Sequence, residues 1–183
     1  MLPLDDPRWK RLAHRNWSEG RGAPDVAAEL ARLLKHPEDT NGFQELWPYL
    51  YSEGTLYPAA YAAVPYVLEI ARRLPPYQRA EHLMLIGYAA VPEDASLSFL
   101  GDVSPLVELD YRQSLKAALP LLSETLLHPL DRDMLRFLLA ALAGLKGHFP
   151  LQEALENLDC CPEYGEQIVA AEREGGPDNM PPA

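Results

Sequence analysis

The chain has 183 residues, 48% hydrophobic and 23% charged, and its 27 acidic side chains against 16 basic ones give a formal net charge of −11. That length supports one domain able to bury roughly 70% of its unfolded surface with no disulfide or metal to help it. The acidity argues against a nucleic-acid binder, which needs a basic face to neutralise phosphates, and the apolar runs are too short for a membrane span.

In chain order, the N-terminal "MLPLDDPRWK" places two aspartates where a signal peptide needs positive charge and an apolar core, so no export signal is expected. Period-2 alternation is nearly absent, and Leu, Ala and Glu dominate segments of helical length. Helices are predicted over 7–15, 25–36, 42–52, 56–73, 77–91, 105–128, 130–147 and 150–157, with a weaker one at 163–174. Pro7, Pro76, Pro105, Pro129, Pro150 and Pro162 sit at or just before first turns, where a missing N–H costs nothing. Asp6, Asp25, Thr55 and Ser104 are candidate N-caps, and Gly54 and Gly147 fit helix ends. Residues 92–104 read as an irregular acidic loop. The closing "EGGPDNMPPA" has a disordered composition, so a helical domain over 1–174 and a tail over 175–183 are expected.

Two stretches repeat. "AAVPYVLE" at 62–69 matches "AALPLLSE" at 117–124, with proline fourth and glutamate eighth in both, and each leads into another proline-started helix. Proline inside a helix costs about 3 kcal/mol. Val64, Val67, Leu68 and Leu74 should each gain on the order of 1.5–3 kcal/mol if buried, so the helix is expected to survive Pro65 with a kink. Kinks at Pro65, Pro120 and Pro48 would suit helices that curve around neighbours in a stacked array. The fold class expected is all-α: a short right-handed α-α superhelix of HEAT/armadillo-like helical repeats.

"WKRLAHRNWSEGRGAPDVAAELARLL" (9–34), "ELWPYLYSEGTLYPAAYAAVPYVLEIA" (45–71) and "LDCCPEYGEQI" (158–168) together resemble bacterial HEAT-repeat-like proteins of unassigned function. The resemblance covers residues 9–74 most specifically and implies an α-α superhelical fold. It implies no reaction. The chain departs from the family pattern at Ser52-Glu53, which replace a His-Gln pair, and at Tyr164, which stands where a knuckle cysteine would be.

Each candidate site has a structural reading beside it. Cys160 and Cys161 are adjacent, which suits a reducing compartment and a cytoplasmic location. They lack a second ligand pair, so no metal is expected, and the carboxylates around them would raise rather than lower a thiol pKa. The five histidines are scattered, and only His128 lies near carboxylates, Asp131 and Asp133, within a helix-start signature. No nucleophile, P-loop or dinucleotide motif is present, so no catalytic residue and no cofactor are assigned. Aromatics crowd residues 47–77. Trp47 with Tyr51, and Tyr57 with Tyr61, are each four apart on a helix and are expected to face each other as core. Tyr49 and Tyr66 point elsewhere and could line a groove, with Glu53 in the turn beneath.

The function expected is a non-enzymatic protein–protein interaction module for a basic protein partner, one version being an inhibitor of immunity type. Tyr49, Glu53, Tyr66 and the acidic loop residues Glu93, Asp94 and Asp102 form the candidate interface. The alternatives are a small-molecule hydrolase or lyase with a site between helices and, against the charge, a nucleic-acid-repair scaffold. A monomer is expected, or a homodimer through the apolar helix 130–147.

Overall fold

The computed structural model describes residues 1–12, 24–52 and 54–158. A 3-10 helix over Pro7–Arg11 is followed by α1 (Val26–Lys35), α2 (Thr40–Leu50), β1 (Tyr51–Ser52), β2 (Thr55–Leu56), α3 (Pro58–Arg73) and α4 (Ala80–Tyr88). A second 3-10 helix, Ser98–Val103, leads into α5 (Ser104–Leu126), α6 (Arg132–Leu145) and α7 (Phe149–Glu156). The class is all-α. No helix among the described residues is long and apolar enough to cross a membrane.

Aspartate side chains start the first 3-10 helix, α1, α2 and α6 by accepting backbone N–H groups that the first turn leaves orphaned. Asp6 accepts from Arg8, Asp25 from Ala28, Asp39 from Gly42 and Asp131 from Met134, at 2.7–3.1 Å. Thr55 and Ser104 do not cap. In place of the expected helix end, Tyr51–Ser52 and Thr55–Leu56 pair as two short antiparallel strands, with Ser52 opposite Thr55 and Tyr51 opposite Leu56. Gly54, at φ +74°, takes the left-handed conformation this turn requires. Ser104 already lies inside the first turn of α5, preceded by Val103.

α2, α3 and α5 run unbroken through Pro48, Pro65 and Pro120. In α3 the reason is burial on every side: Ala62 to Leu68 are all buried, and Val64, Val67 and Ile70 are fully so. A helix that is apolar all round belongs at the centre of a fold, and α3 packs against α1, α4 and α5. α5 packs on α3 as α6 packs on α4. The second of these contacts depends on the absence of side chains. A Cβ added to Gly87 would lie 2.3 Å from the Cβ of Ala141, and one added to Gly144 would lie 2.7 Å from the Gly87 carbonyl oxygen.

Polar ties link the elements. Arg79, only 4% exposed, donates from Nε to the Thr125 hydroxyl at 2.9 Å and from a terminal nitrogen to Glu124 at 2.6 Å. It joins the start of α4 to the end of α5. The N-terminal residues fold back on α3: the Tyr66 hydroxyl donates to the Leu2 carbonyl at 2.5 Å, and the Trp9 indole to the Pro3 carbonyl at 2.8 Å. The terminal amino group of Met1 pairs with Asp110.

The segment 92–104 differs from expectation. It is acidic, yet Leu97, Leu100 and Val103 are buried in the core, and Arg112 holds its backbone by donating to the Ala95 carbonyl at 2.5 Å. Three apolar residues spaced by three gave it a side to bury.

Candidate functional site

Helical spacing places Gln44 and Trp47 along one side of α2, with Tyr51 one turn further at the hairpin. It places Glu81, Met84 and Tyr88 along one side of α4. The two helices meet through side chains. Phe43 stacks on His82 with ring centroids 3.8 Å apart, and Gln44 Nε2 donates to Glu81 Oε1 at 2.9 Å. Between the two faces lies a cleft of about 450 Å³, with Phe137 of α6 also in its lining.

Its floor is aromatic. Trp47 meets Tyr51 and Tyr88 edge-on, at 6.1 and 6.3 Å, and Tyr51 lies 5.1 Å from Tyr88 at 45°. Edge-on and tilted pairs follow from the quadrupoles of the rings. The Tyr88 hydroxyl is buried with no hydrogen-bond partner among the described residues.

The charges around the cleft are unequal at its two ends. At the Tyr51–Tyr88 end Glu156 is engaged through both oxygens, accepting from the Tyr51 hydroxyl at 3.1 Å and from Gln152 Nε2 at 2.9 Å. Burial, and then the Glu156 carboxylate, push the Tyr51 and Tyr88 phenols well above their usual range, with Arg136 opposing the rise at Tyr88. Both therefore stay protonated. The Arg136 guanidinium lies 4.4 Å above the Phe137 ring. At the other end Glu81 uses one oxygen for Gln44, and no lysine or arginine among the described residues pairs with it.

The residues singled out from the sequence are not gathered in this cleft. Tyr66 is a correction: it is 7% exposed and its hydroxyl is spent on Leu2, so it lines no groove. Its position on α3, enclosed on every side, is the reason. Tyr49 is half-buried and outside the cleft lining. Glu93 is exposed and 3.6 Å from Lys116, Asp102 is exposed and 2.7 Å from Arg11, and Asp94 is exposed. Glu53, Cys160 and Cys161 lie outside the described residues. Trp47 and Tyr51 do not face Tyr57 and Tyr61 as expected. Their partner is Tyr88, while Tyr61 packs at 4.9 Å on Phe99 and at 5.6 Å on Tyr111.

Glu81, Tyr88, Phe137 and Glu156 had no individual signal in the sequence. The spacing of Glu81, Met84 and Tyr88 could have marked one face of a helix, but nothing local says which helix stands opposite.

His128 is exposed, and the neighbouring Asp131 is occupied as the cap of α6. Among the described residues no three His, Cys, Asp or Glu side chains converge to hold a metal ion. No known family model, curated protein or solved structure matches the chain.

Proposed function

We propose that this protein is a helical-repeat binding module whose α2–α4 cleft receives a basic protein partner. In this reading α3–α4 and α5–α6 are successive repeats of a short right-handed superhelix, preceded by α1–α2. The stacking of α3 on α5 and of α4 on α6 supports it, as does the duplicated sequence around Pro65 and Pro120. Helical arrays present broad surfaces built from successive second helices, and α2, α4 and α6 are those helices here.

The observation that carries the reading is the cleft itself, walled by Trp47, Tyr51, Tyr88 and Phe137 and edged by Glu81. Tyr and Trp bury large areas at little entropic cost and so dominate binding energies at interfaces. A carboxylate at the rim and a chain charge of −11 select a cationic partner. The exposed acidic side chains of the 92–104 segment would contribute long-range attraction; Glu93 and Asp102 already hold a cation each, which reduces that share.

The test has two steps. Immobilised protein captures its partner from host extract, and the purified partner is then titrated against the wild type and Trp47→Ala at low and moderate salt. A basic protein that weakens as salt rises, and about tenfold in Trp47→Ala, supports the reading. An acidic or neutral partner, or one indifferent to Trp47→Ala, overturns it.

A further inference from the structure

The two ends of the cleft differ in what they can receive, and this difference identifies a side chain. The inference rests on the reading above. Glu81 and Tyr88 are seven residues apart on α4, about 10 Å along the axis, so one cationic group cannot reach both.

At the Tyr88 end both oxygens of Glu156 are already engaged, and Arg136 brings a positive charge against the tyrosine. An incoming cation would find there a carboxylate already held by two donors and partly offset by Arg136. At the Glu81 end the balance reverses. Glu81 Oε1 accepts from Gln44, and among the described residues Oε2 has no donor and no cation pairs with the carboxylate. Trp47 and the Met84 thioether lie beside it in the same lining.

We propose that the Glu81 end of the cleft is a subsite for an arginine side chain of the partner, its guanidinium lying against Trp47 and donating to Glu81 Oε2. Arginine fits this surface better than lysine. Its guanidinium is planar, weakly hydrated and able to stack on an aromatic ring while its edge N–H groups hydrogen-bond in the plane. A lysine ammonium is a compact, strongly hydrated charge and loses more on entering an apolar cleft. Tryptophan is the best ring for such a contact.

The experiment is a titration of the whole chain, labelled with ¹⁵N, against N-acetylarginine amide, with the lysine and citrulline amides as comparators. Citrulline keeps the shape and loses the charge. The Trp47 indole signal, assigned with Trp47→Phe, is the readout. The arginine probe should move it, with an apparent affinity roughly tenfold above that of either comparator, and Glu81→Gln should lower arginine to the citrulline level while the rest of the spectrum keeps its dispersion. Equal responses to arginine and citrulline, an unmoved Trp47 signal, or an arginine affinity indifferent to Glu81→Gln would each overturn the subsite.

Failure here separates from failure of the broader reading. A basic protein that binds and is lost with Trp47→Ala but not with Glu81→Gln leaves the module standing and removes the arginine. Arginine binding in the titration with no basic protein partner keeps the subsite and removes the module.

Discussion

The Phe43 ring lies almost parallel to the His82 ring, 3.8 Å away at 16°, and both imidazole nitrogens are buried with no hydrogen-bond partner among the described residues. Burial lowers the His82 pKa from 6.5 to about 3. The folded state therefore holds the neutral ring, and the unfolded chain takes up a proton first as pH falls. Stability from this group is complete above about pH 6.5 and is lost as pH falls from there toward about 3. At pH 4.5 the loss is about 2–3 kcal/mol.

His82→Leu removes both the proton site and the two unsatisfied nitrogens. Its urea midpoint should equal or exceed the wild type at pH 7 and exceed it clearly at pH 4.5. The carboxylates with lowered pKa, Asp6 at about 2 and Asp39, lose their contribution at lower pH, so the window between 6.5 and 4.5 isolates the histidine. Parallel acid limbs in the two proteins would contradict this assignment.

Gly87→Ala should separate α4 from α6. The added methyl would stand 2.3 Å from the Ala141 Cβ and 2.5 Å from its Cα, and backbone cannot swing aside as a long side chain can. Overpacking of this kind costs about 1–3 kcal/mol, against a gain in helix propensity of about 1 kcal/mol. A lower thermal midpoint is expected, with Gly54→Ala as a comparison in which the cost comes from the positive φ alone.

The two repeat-related prolines should respond differently to alanine. Pro120 is exposed on α5, so Pro120→Ala restores a helical hydrogen bond at little packing cost and should stabilise the protein by about 1–3 kcal/mol. Pro65 is buried in α3, and the cavity left by Pro65→Ala offsets much of that gain. Denaturant midpoints of the two variants, compared directly, should place Pro120→Ala higher.

Tyr66→Phe tests the tie between the N-terminal segment and α3. It leaves the buried Leu2 carbonyl without its donor, at a cost of about 1–3 kcal/mol. Hydrogen exchange should rise first in residues 2–12, ahead of the α3–α5 core. Uniformly faster exchange would mean that the hydroxyl supports the whole fold.

Where the chain forms helices was legible in the sequence because helix formation is a local matter. Proline at first turns, aspartate caps at Asp25 and Asp131, Gly147 after α6 and 3.6-residue periodicity all act within a few residues, and α1 to α7 fall close to the spans they predict, whereas Gly54 serves a hairpin turn and not a helix end. The survival of α3 through Pro65 was legible too, since the apolar residues that outweigh the proline flank it. The hairpin at 51–56 was missed because it is two residues a side and ends a helix that its own sequence would continue.

The site was not legible in the same way. Trp47 could be seen as an aromatic worth noting, but whether a given tyrosine is core or surface depends on which helices lie beside it. Tyr66 reads like Tyr88 in the sequence; the tertiary structure buries the first under the N-terminal segment and sets the second in a cleft with Trp47 and Phe137. Charge behaves likewise. Composition determined that the protein is acidic, yet only the fold decided that Glu156 would be engaged by Tyr51 and Gln152 while Glu81, among the described residues, is engaged through Oε1 alone. Local signals act within one turn or one cap, whereas a cleft is assembled from α2, α4 and α6, more than ninety residues from end to end, by packing alone.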